Sequence, residues 1–272
     1  MIKNNLPKAK KRFGQNFLLD PEVLQKIILT AEPSTEDTVL EIGTGTGILT
    51  AELAKTAGRV ISVEIDSELY TAHSKQLQAA GNVQTLLGDF LLLAEEIFSG
   101  ITARVKVIAN IPYYITTPIL EKLLDYREQI SSITLLVQKE VADRICAEPG
   151  NKDYGSLTIF LQYYAETRQI CVVPAEAFQP RPQVNSALIR LDVRPELKYR
   201  PLSEKRFFNI VRGAFWGRRK TLRNTLKQSP YTHYTTAMLD KITCETSIDL
   251  QRRGETLSIE EYVKLASVEL SS

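Results

Sequence analysis

A glycine-rich turn between an apolar run and a helical stretch constrains this chain more than any other feature. Thr38–Ile42 (TVLEI) is apolar enough for a strand buried on both faces, and Ile48–Thr56 has helical spacing. Between them Gly43, Gly45 and Gly47 let the backbone reverse sharply and approach a ligand. The alternation continues downstream. Val60–Glu64, Val83–Leu87, Val105–Ala109 and Ile133–Gln138 read as strands, with helices at Glu68–Ala79 and Pro118–Tyr126. Strands alternating with helices predict an α/β fold with a parallel sheet under helical layers. Gln169–Pro174 and Ser186–Val193 predict two later strands, antiparallel at one edge.

At 272 residues there is room for one large domain and one small one. Arg194–Pro201 (RPELKYRP) has two prolines and no periodicity, so the boundary is expected there, dividing residues 1–198 from 199–272. The second part reads as helical. Ser203 can cap a helix with Phe207, Ile210, Val211 and Ala214 on its apolar stripe. Ser258-Ile-Glu-Glu261 is a capping box opening a last helix with Ile259, Tyr262, Val263 and Ala266.

Composition removes several function classes. Hydrophobic residues at 43% and charged residues at 24% are globular values. No apolar run approaches the roughly 18 residues of a membrane span, and no apolar segment follows the charged N-terminus, so neither a membrane anchor nor a signal peptide is expected. Cys146, Cys171 and Cys244 are scattered, which suits a reducing cytosol. His73 and His233 lie far apart, so no metal site is expected. The net charge of +2 averages unequal parts: +5 over residues 1–19, −8 over 20–204 and +5 over 205–272. Basic ends on an acidic body suggest a polyanion met at the edges of the fold.

The glycine spacing narrows the ligand. A dinucleotide fingerprint wants glycine at its sixth position, where this chain has Ile48, and the GK[ST] of a P-loop is absent. Glu64 ends the second strand about 20 residues after the loop, where a carboxylate can accept the hydroxyls of a ribose. Asp89, in Gly88-Asp89-Phe90 after the third strand, can accept from an adenine amino group while Phe90 packs nearby. The three strand ends outline a nucleoside pocket. After the fourth strand comes Asn110-Ile111-Pro112-Tyr113. An asparagine oxygen and a backbone carbonyl can together accept both hydrogens of one exocyclic amine, and a tyrosine gives a base a surface to stack on. The lone pair of adenine N6 is delocalised into its ring. Two acceptors that pull the nitrogen toward tetrahedral shape aim that lone pair at an incoming methyl, with no strong base required.

In order, KRFGQNFLLD, EIGTGTGILT, VISVEID, GDFL, NIPYYITTPIL and FQPRPQVNSALIRL resemble the ribosomal RNA adenine N6,N6-dimethyltransferase family, from about Arg12 to about Leu265. The resemblance implies a Rossmann-like methyltransferase domain that uses S-adenosylmethionine, followed by a small all-helical C-terminal domain. It also implies roles. Gln15, Asn16 and Leu18 would close over the methionine end of the cofactor, and Gly43 and Gly45 would line it. Glu64 and Ile65 would hold the ribose, and Asp89 and Phe90 the adenine. Asn110 would contact both the cofactor and the target amine, with Pro112 beside it, Tyr113 stacking on the target base and Phe178 as its second wall. Thr44 stands where the family often has proline, Gln183 where lysine is common, and Tyr114 where asparagine is frequent; none removes a group the chemistry requires.

Lys205–Lys227 carries eight basic residues, no acid and interleaved aromatics, a pattern suited to salt-sensitive nucleic-acid binding. Arg218, Arg219, Lys220 and Arg223 are the expected phosphate contacts. Lys8, Lys10, Lys11 and Arg12 are expected to form a basic arm that orders over the active site. This C-terminal run is most similar to the small-subunit (16S) dimethylases of the KsgA type. The resemblance thus implies dimethylation of two adjacent adenosines in a hairpin loop near the 3′ end of that RNA, on a pre-assembled small ribosomal subunit. The cysteines and histidines suit a cytoplasmic protein without metal, and nothing in the sequence demands more than a monomer. Two readings compete with it: a large-subunit methylase conferring macrolide resistance, and a ribosome-assembly or transcription factor that only binds.

Overall fold

The computed structural model describes residues 7–217 and 219–270. In chain order the elements are β1 (Phe17–Leu18), α1 (Pro21–Ala31), β2 (Thr38–Ile42), α2 (Ile48–Thr56), β3 (Arg59–Glu64), α3 (Ser67–Gln78), β4 (Val83–Leu87), α4 (Phe90–Ser99), β5 (Val105–Asn110), α5 (Thr116–Asp125) and β6 (Ile130–Gln138). Then come α6 (Lys139–Ile145), α7 (Ser156–Tyr164), β7 (Ala165–Val173), β8 (Phe178–Gln179), β9 (Ser186–Val193), α8 (Glu204–Phe215), α9 (Leu222–Gln228), α10 (Thr236–Thr246) and α11 (Ile259–Ser267).

The chain divides into two compact units. The first gathers the described residues of 1–142 with 166–195. Its seven-stranded sheet has the order β4-β3-β2-β5-β6-β9-β7. The neighbours from β4 to β6 are parallel, and β9 runs antiparallel to β6, as the sequence predicts. In register, Leu40 of β2 lies between Ile61 and Val107, and all three are buried. From β2 the chain passes to β3 on one side, while β5 lies on the other. Sheets of this kind bind ligands outside the carboxyl ends of the strands at such a reversal.

The structure extends the predicted fifth strand of the sheet. β6 begins at Ile130 rather than Ile133, because Ser131 satisfies its hydroxyl on the Val105 carbonyl (3.0 Å) and Ser132 is buried in register with Lys106. Both serines, outside the predicted strand, are part of the ladder. The sequence reading assigns no helix to α1, yet Asp20 accepts from the amides of Glu22 and Val23 and Pro21 opens the first turn.

The second unit gathers the described residues of 143–165 with 196–272. An aromatic cluster joins its two segments. Tyr163 packs on Phe207 with ring centroids 4.9 Å apart, and the hydroxyls of Tyr163 and Tyr164 both donate to Glu204 (3.2 Å each). α8 buries the predicted stripe of Phe207, Ile210, Val211 and Ala214. The capping box of α11 is formed in both directions: the Ser258 hydroxyl accepts from the Glu261 amide (3.2 Å), and the Glu261 carboxylate accepts from the Ser258 amide (2.8 Å). The face that α11 buries is Tyr262, Leu265 and Ala266, rather than one containing Ile259 and Val263. Among the described residues no helix is long and apolar enough to cross a membrane, and no group of three or more His, Cys, Asp or Glu could hold a metal ion.

Candidate active site

At the carboxyl ends of β2, β3 and β5 lies a cleft of about 1090 Å³, counting the space open to solvent. The glycine loop forms one wall. Gly43 donates its amide to the Val63 carbonyl (2.8 Å). Gly45 sits at φ 58°, in the left-handed region, and its amide donates to Glu64 Oε2 (2.7 Å). Gly47, at φ 76°, precedes α2, and a Cβ there would stand 3.1 Å from Leu77. Left-handed backbone with a tight neighbour explains why glycine is needed at that position.

Glu64 closes β3 and is 4% exposed. Its Oε1 accepts from the Asp66 amide (2.8 Å), so both carboxylate oxygens are oriented by backbone amides. Burial pushes its carboxyl above the ordinary range, and the amides of Asp66 and Gly45 offset part of that rise. Ile65, also on the cleft wall, is exposed. Asp89 caps α4 by accepting from the Leu91 amide (2.9 Å), and Phe90 beside it is buried; both line the cleft.

Asn110 ends β5. Its Nδ2 donates to the Asn16 carbonyl (3.1 Å), which commits the nitrogen and leaves Oδ1 as an acceptor. Pro112 and a short turn at Tyr113–Ile115 follow. The Tyr113 hydroxyl shares a 2.6 Å hydrogen bond with the Ser186 hydroxyl, and burial raises its pKa against the effect of that bond. Opposite lies a strap of Phe13, Gly14, Gln15, Asn16, Phe17 and Leu18. β1 in this strap pairs antiparallel with β8. Gly14, at φ 57°, lets the strap lie against the Tyr114 ring, 3.1 Å from where a Cβ would stand.

The expected cofactor residues Gln15, Asn16, Leu18, Gly43, Gly45, Glu64, Ile65, Asp89 and Phe90 thus share one cleft with Asn110, Pro112 and Tyr113. Phe178 is not among its lining residues. It is 4% exposed, sits opposite Leu18 in the β1–β8 pair and belongs to the apolar core.

Glu41 is a cleft residue that sequence reasoning passes over. It is 0% exposed, and its Oε2 accepts from the hydroxyls of Thr50 and Ser62 (2.6 Å each), while Oε1 has no partner among the described residues. Thr44, at the position where proline is frequent, shares a 2.6 Å hydrogen bond with the Ser62 hydroxyl. The signal was an acid inside the otherwise apolar run TVLEI.

The basic residues of the second unit fare unequally. Arg218 lies outside the described residues. Arg219 and Lys220 are exposed, with the Lys220 ammonium 5.4 Å from the Trp216 ring centre and bonded to Gln228. Arg223 is paired with Asp240 (2.6 Å), so its charge is already met within the chain. Phe207 and Phe208 belong to the aromatic cluster, and half-exposed Trp216 is the aromatic of this run that faces solvent most.

A profile of the ribosomal RNA adenine dimethylase family matches residues 6–265. Ribosomal RNA small subunit methyltransferase A of Clostridium botulinum (strain Loch Maree / Type A3) is 45% identical over 267 residues, covering 95% of this chain and 93% of the relative. Its namesake in Geobacillus sp. (strain WCH70) is 43% identical over 265 residues, covering 95% and 90%. Among solved structures, a dimethyladenosine transferase from Plasmodium falciparum matches with a TM-score of 0.77 and 27% identity over 92% of this chain and 95% of the other. The 23S rRNA methyltransferase ErmE matches with a TM-score of 0.67 and 26% identity over 92% and 98%. With a family profile spanning nearly its whole length and relatives of this identity, the chain belongs to the ribosomal RNA adenine dimethylase family.

Proposed function

We propose that this protein transfers two methyl groups in succession to N6 of each of two adjacent adenosines in small-subunit ribosomal RNA. In this reading it works as a cytoplasmic monomer on a partly assembled subunit. Support for the small subunit comes from the names of the 43–45% identical relatives. The observation that carries the chemistry is Asn110, whose amide nitrogen is tied to the Asn16 carbonyl and whose oxygen is left to accept from an amine.

S-adenosylmethionine, the methyl donor of the family, supplies a methyl group activated by its positively charged sulfur. The cleft suits such a ligand. Gly43 and Gly45 bring bare backbone to the lining, and the carboxylates of Glu64 and Asp89 stand at the neighbouring strand ends. Glu64 would accept from the ribose hydroxyls with lone pairs that its two amide partners leave free, and Asp89 from the adenine amine. Gln15, Asn16 and Leu18 would cover the methionine end. On the acceptor side, Asn110 Oδ1 and a neighbouring backbone carbonyl would take the two N6 hydrogens, while Tyr113, held by Ser186, would support the base. Most of the acceleration then comes from positioning, which can supply several orders of magnitude. A loop adenosine is already partly unstacked, so drawing it into the cleft costs less than extruding it from a duplex. Arg218, Arg219 and Lys220 would contribute phosphate contacts; Arg223 would do so only by releasing Asp240.

Donor labelled in its transferable methyl, offered with separated small subunits and with naked large-subunit RNA, tests this reading. Label is expected in the small subunits. Label in large-subunit RNA alone would overturn the reading in favour of a resistance methylase. Label in neither, with tight subunit binding, would leave a binding protein.

A further inference from the structure

The strap over the cleft is held at its two ends by different means. Toward its C-terminal end β1 pairs with β8, and the Leu19 amide donates to the Ala177 carbonyl (2.9 Å). The other end rests on one carboxylate. Asp66 is 2% exposed, and its Oδ1 accepts from Lys10 Nζ (2.7 Å) while Oδ2 accepts from Gln15 Nε2 (3.0 Å). Gln15 Oε1 in turn accepts from the Lys10 amide (2.8 Å), so the two strap residues brace each other. Lys10 also reaches the exposed carboxylate of Glu68 (2.9 Å).

Asp66 is joined to the cleft as well as to the strap. Its amide donates to Glu64 Oε1, and its carboxylate caps α3 through the Glu68 amide (3.0 Å). Burial alone would raise its carboxyl, but the hydrogen bonds from Lys10 and Gln15 outweigh that and hold it below the usual range. Lifting the strap would strip this carboxylate of its one cationic partner among the described residues and of one of its neutral donors. Water would then reach the carboxylate, so the closed position is favoured by the modest worth of a partly solvated ion pair and the Gln15 hydrogen bond.

We infer that the Lys10–Asp66 ion pair is a latch that fixes residues 10–16 across the cleft and sets how long the cofactor and its demethylated product stay bound. Both are positioning residues: they act through Gln15, Asn16 and Glu64. The inference rests on the reading of the cleft as the cofactor site, and it has a consequence for the reaction. Two transfers to one amine require the spent cofactor to leave between them, and each exchange requires this latch to open. Lys10, expected from sequence in a basic arm over the active site, is the residue of that arm that meets Asp66.

The test uses the full chain and S-adenosylhomocysteine as the probe. Lys10→Met should weaken its binding, measured by calorimetry, about tenfold, chiefly through faster dissociation, and Lys10→Arg should restore it. Asp66→Asn, which keeps a good helix cap, should weaken binding to a similar degree. The double variant should lose no more than either single one, because both remove the same contact. Tryptic cleavage after Lys11 or Arg12 should quicken about tenfold in Lys10→Met, a readout independent of catalysis. Wild-type affinity and wild-type cleavage in Lys10→Met would overturn the latch alone, as would additive losses in the double variant. Absence of binding by the wild-type chain would overturn the cleft assignment and the latch with it.

Discussion

Asn110→Ala is expected to lower methyl transfer by roughly three orders of magnitude while leaving RNA affinity within a few-fold. The size follows from what the residue does. Removing one preorganised polar group that acts only on the reacting atoms costs about 10²–10³ in rate in other enzymes. Here the same change also removes the donor to the Asn16 carbonyl, and with it one of the ties between β5 and the strap. RNA affinity should hold, because phosphate contacts made elsewhere on the protein dominate it. Single-turnover rates with saturating RNA, beside filter-binding of the same RNA, separate the two effects. Wild-type turnover in Asn110→Ala would refute the assignment of the acceptor. A parallel loss of RNA affinity would make Asn110 a binding residue rather than one that aims the amine.

A second large effect is expected at Glu41. Burial pushes its carboxyl up to about 8 from an ordinary value of 4.5, only partly offset by the hydroxyls of Ser62 and Thr50, and the nearby Glu64 adds to the rise. The unfolded chain releases this proton near its ordinary pKa, whereas the native protein holds it until about pH 8. Across that window the native state binds more protons than the unfolded one, so stability falls as pH rises. The slope is about 1.4 kcal/mol per pH unit, giving about 5 kcal/mol over the whole window before it levels off. Glu41→Gln keeps an acceptor for both hydroxyls and removes the titration. The variant should therefore match the wild type near pH 5 and exceed it progressively toward pH 8. Denaturant midpoints of the two proteins compared at several pH values check this, since the other titrating groups cancel in the difference. Parallel curves would show that Glu41 ionises normally in the folded protein.

The parts of the structure legible in the sequence are those that local chemistry decides. β2 was recognisable because a doubly buried strand must be apolar, and α8 because its stripe repeats with the helical period and Ser203 caps it. The cleft was legible for a related reason: its residues sit at strand ends, and the ends of parallel strands must converge on one edge of the sheet. The misses are tertiary. Ser131 and Ser132 lie outside the strand predicted at Ile133–Gln138, and it is the Val105 carbonyl and the neighbouring strand that bring them into it. The core contacts of Phe178 depend on Leu18, which lies 160 residues earlier and which its residue type alone does not reveal. Residues 143–165 precede β7 in sequence, yet Tyr163 and Tyr164 find their partners in α8, some 40 residues further on. Lys10 and Arg223 looked like free cations because the acids that meet them, Asp66 and Asp240, are remote in sequence. Charge counts locate basic segments but cannot say which of their charges are already spent.

The measurement that bears most directly on the function is mass-spectrometric mapping of methylated adenosines after the protein and S-adenosylmethionine have acted on unmodified small subunits. N6,N6-dimethyladenosine at two adjacent positions in a hairpin loop near the 3′ end of the RNA is the predicted result. Methylation confined to large-subunit RNA, or an unmodified small-subunit RNA after prolonged incubation with active protein, would contradict it.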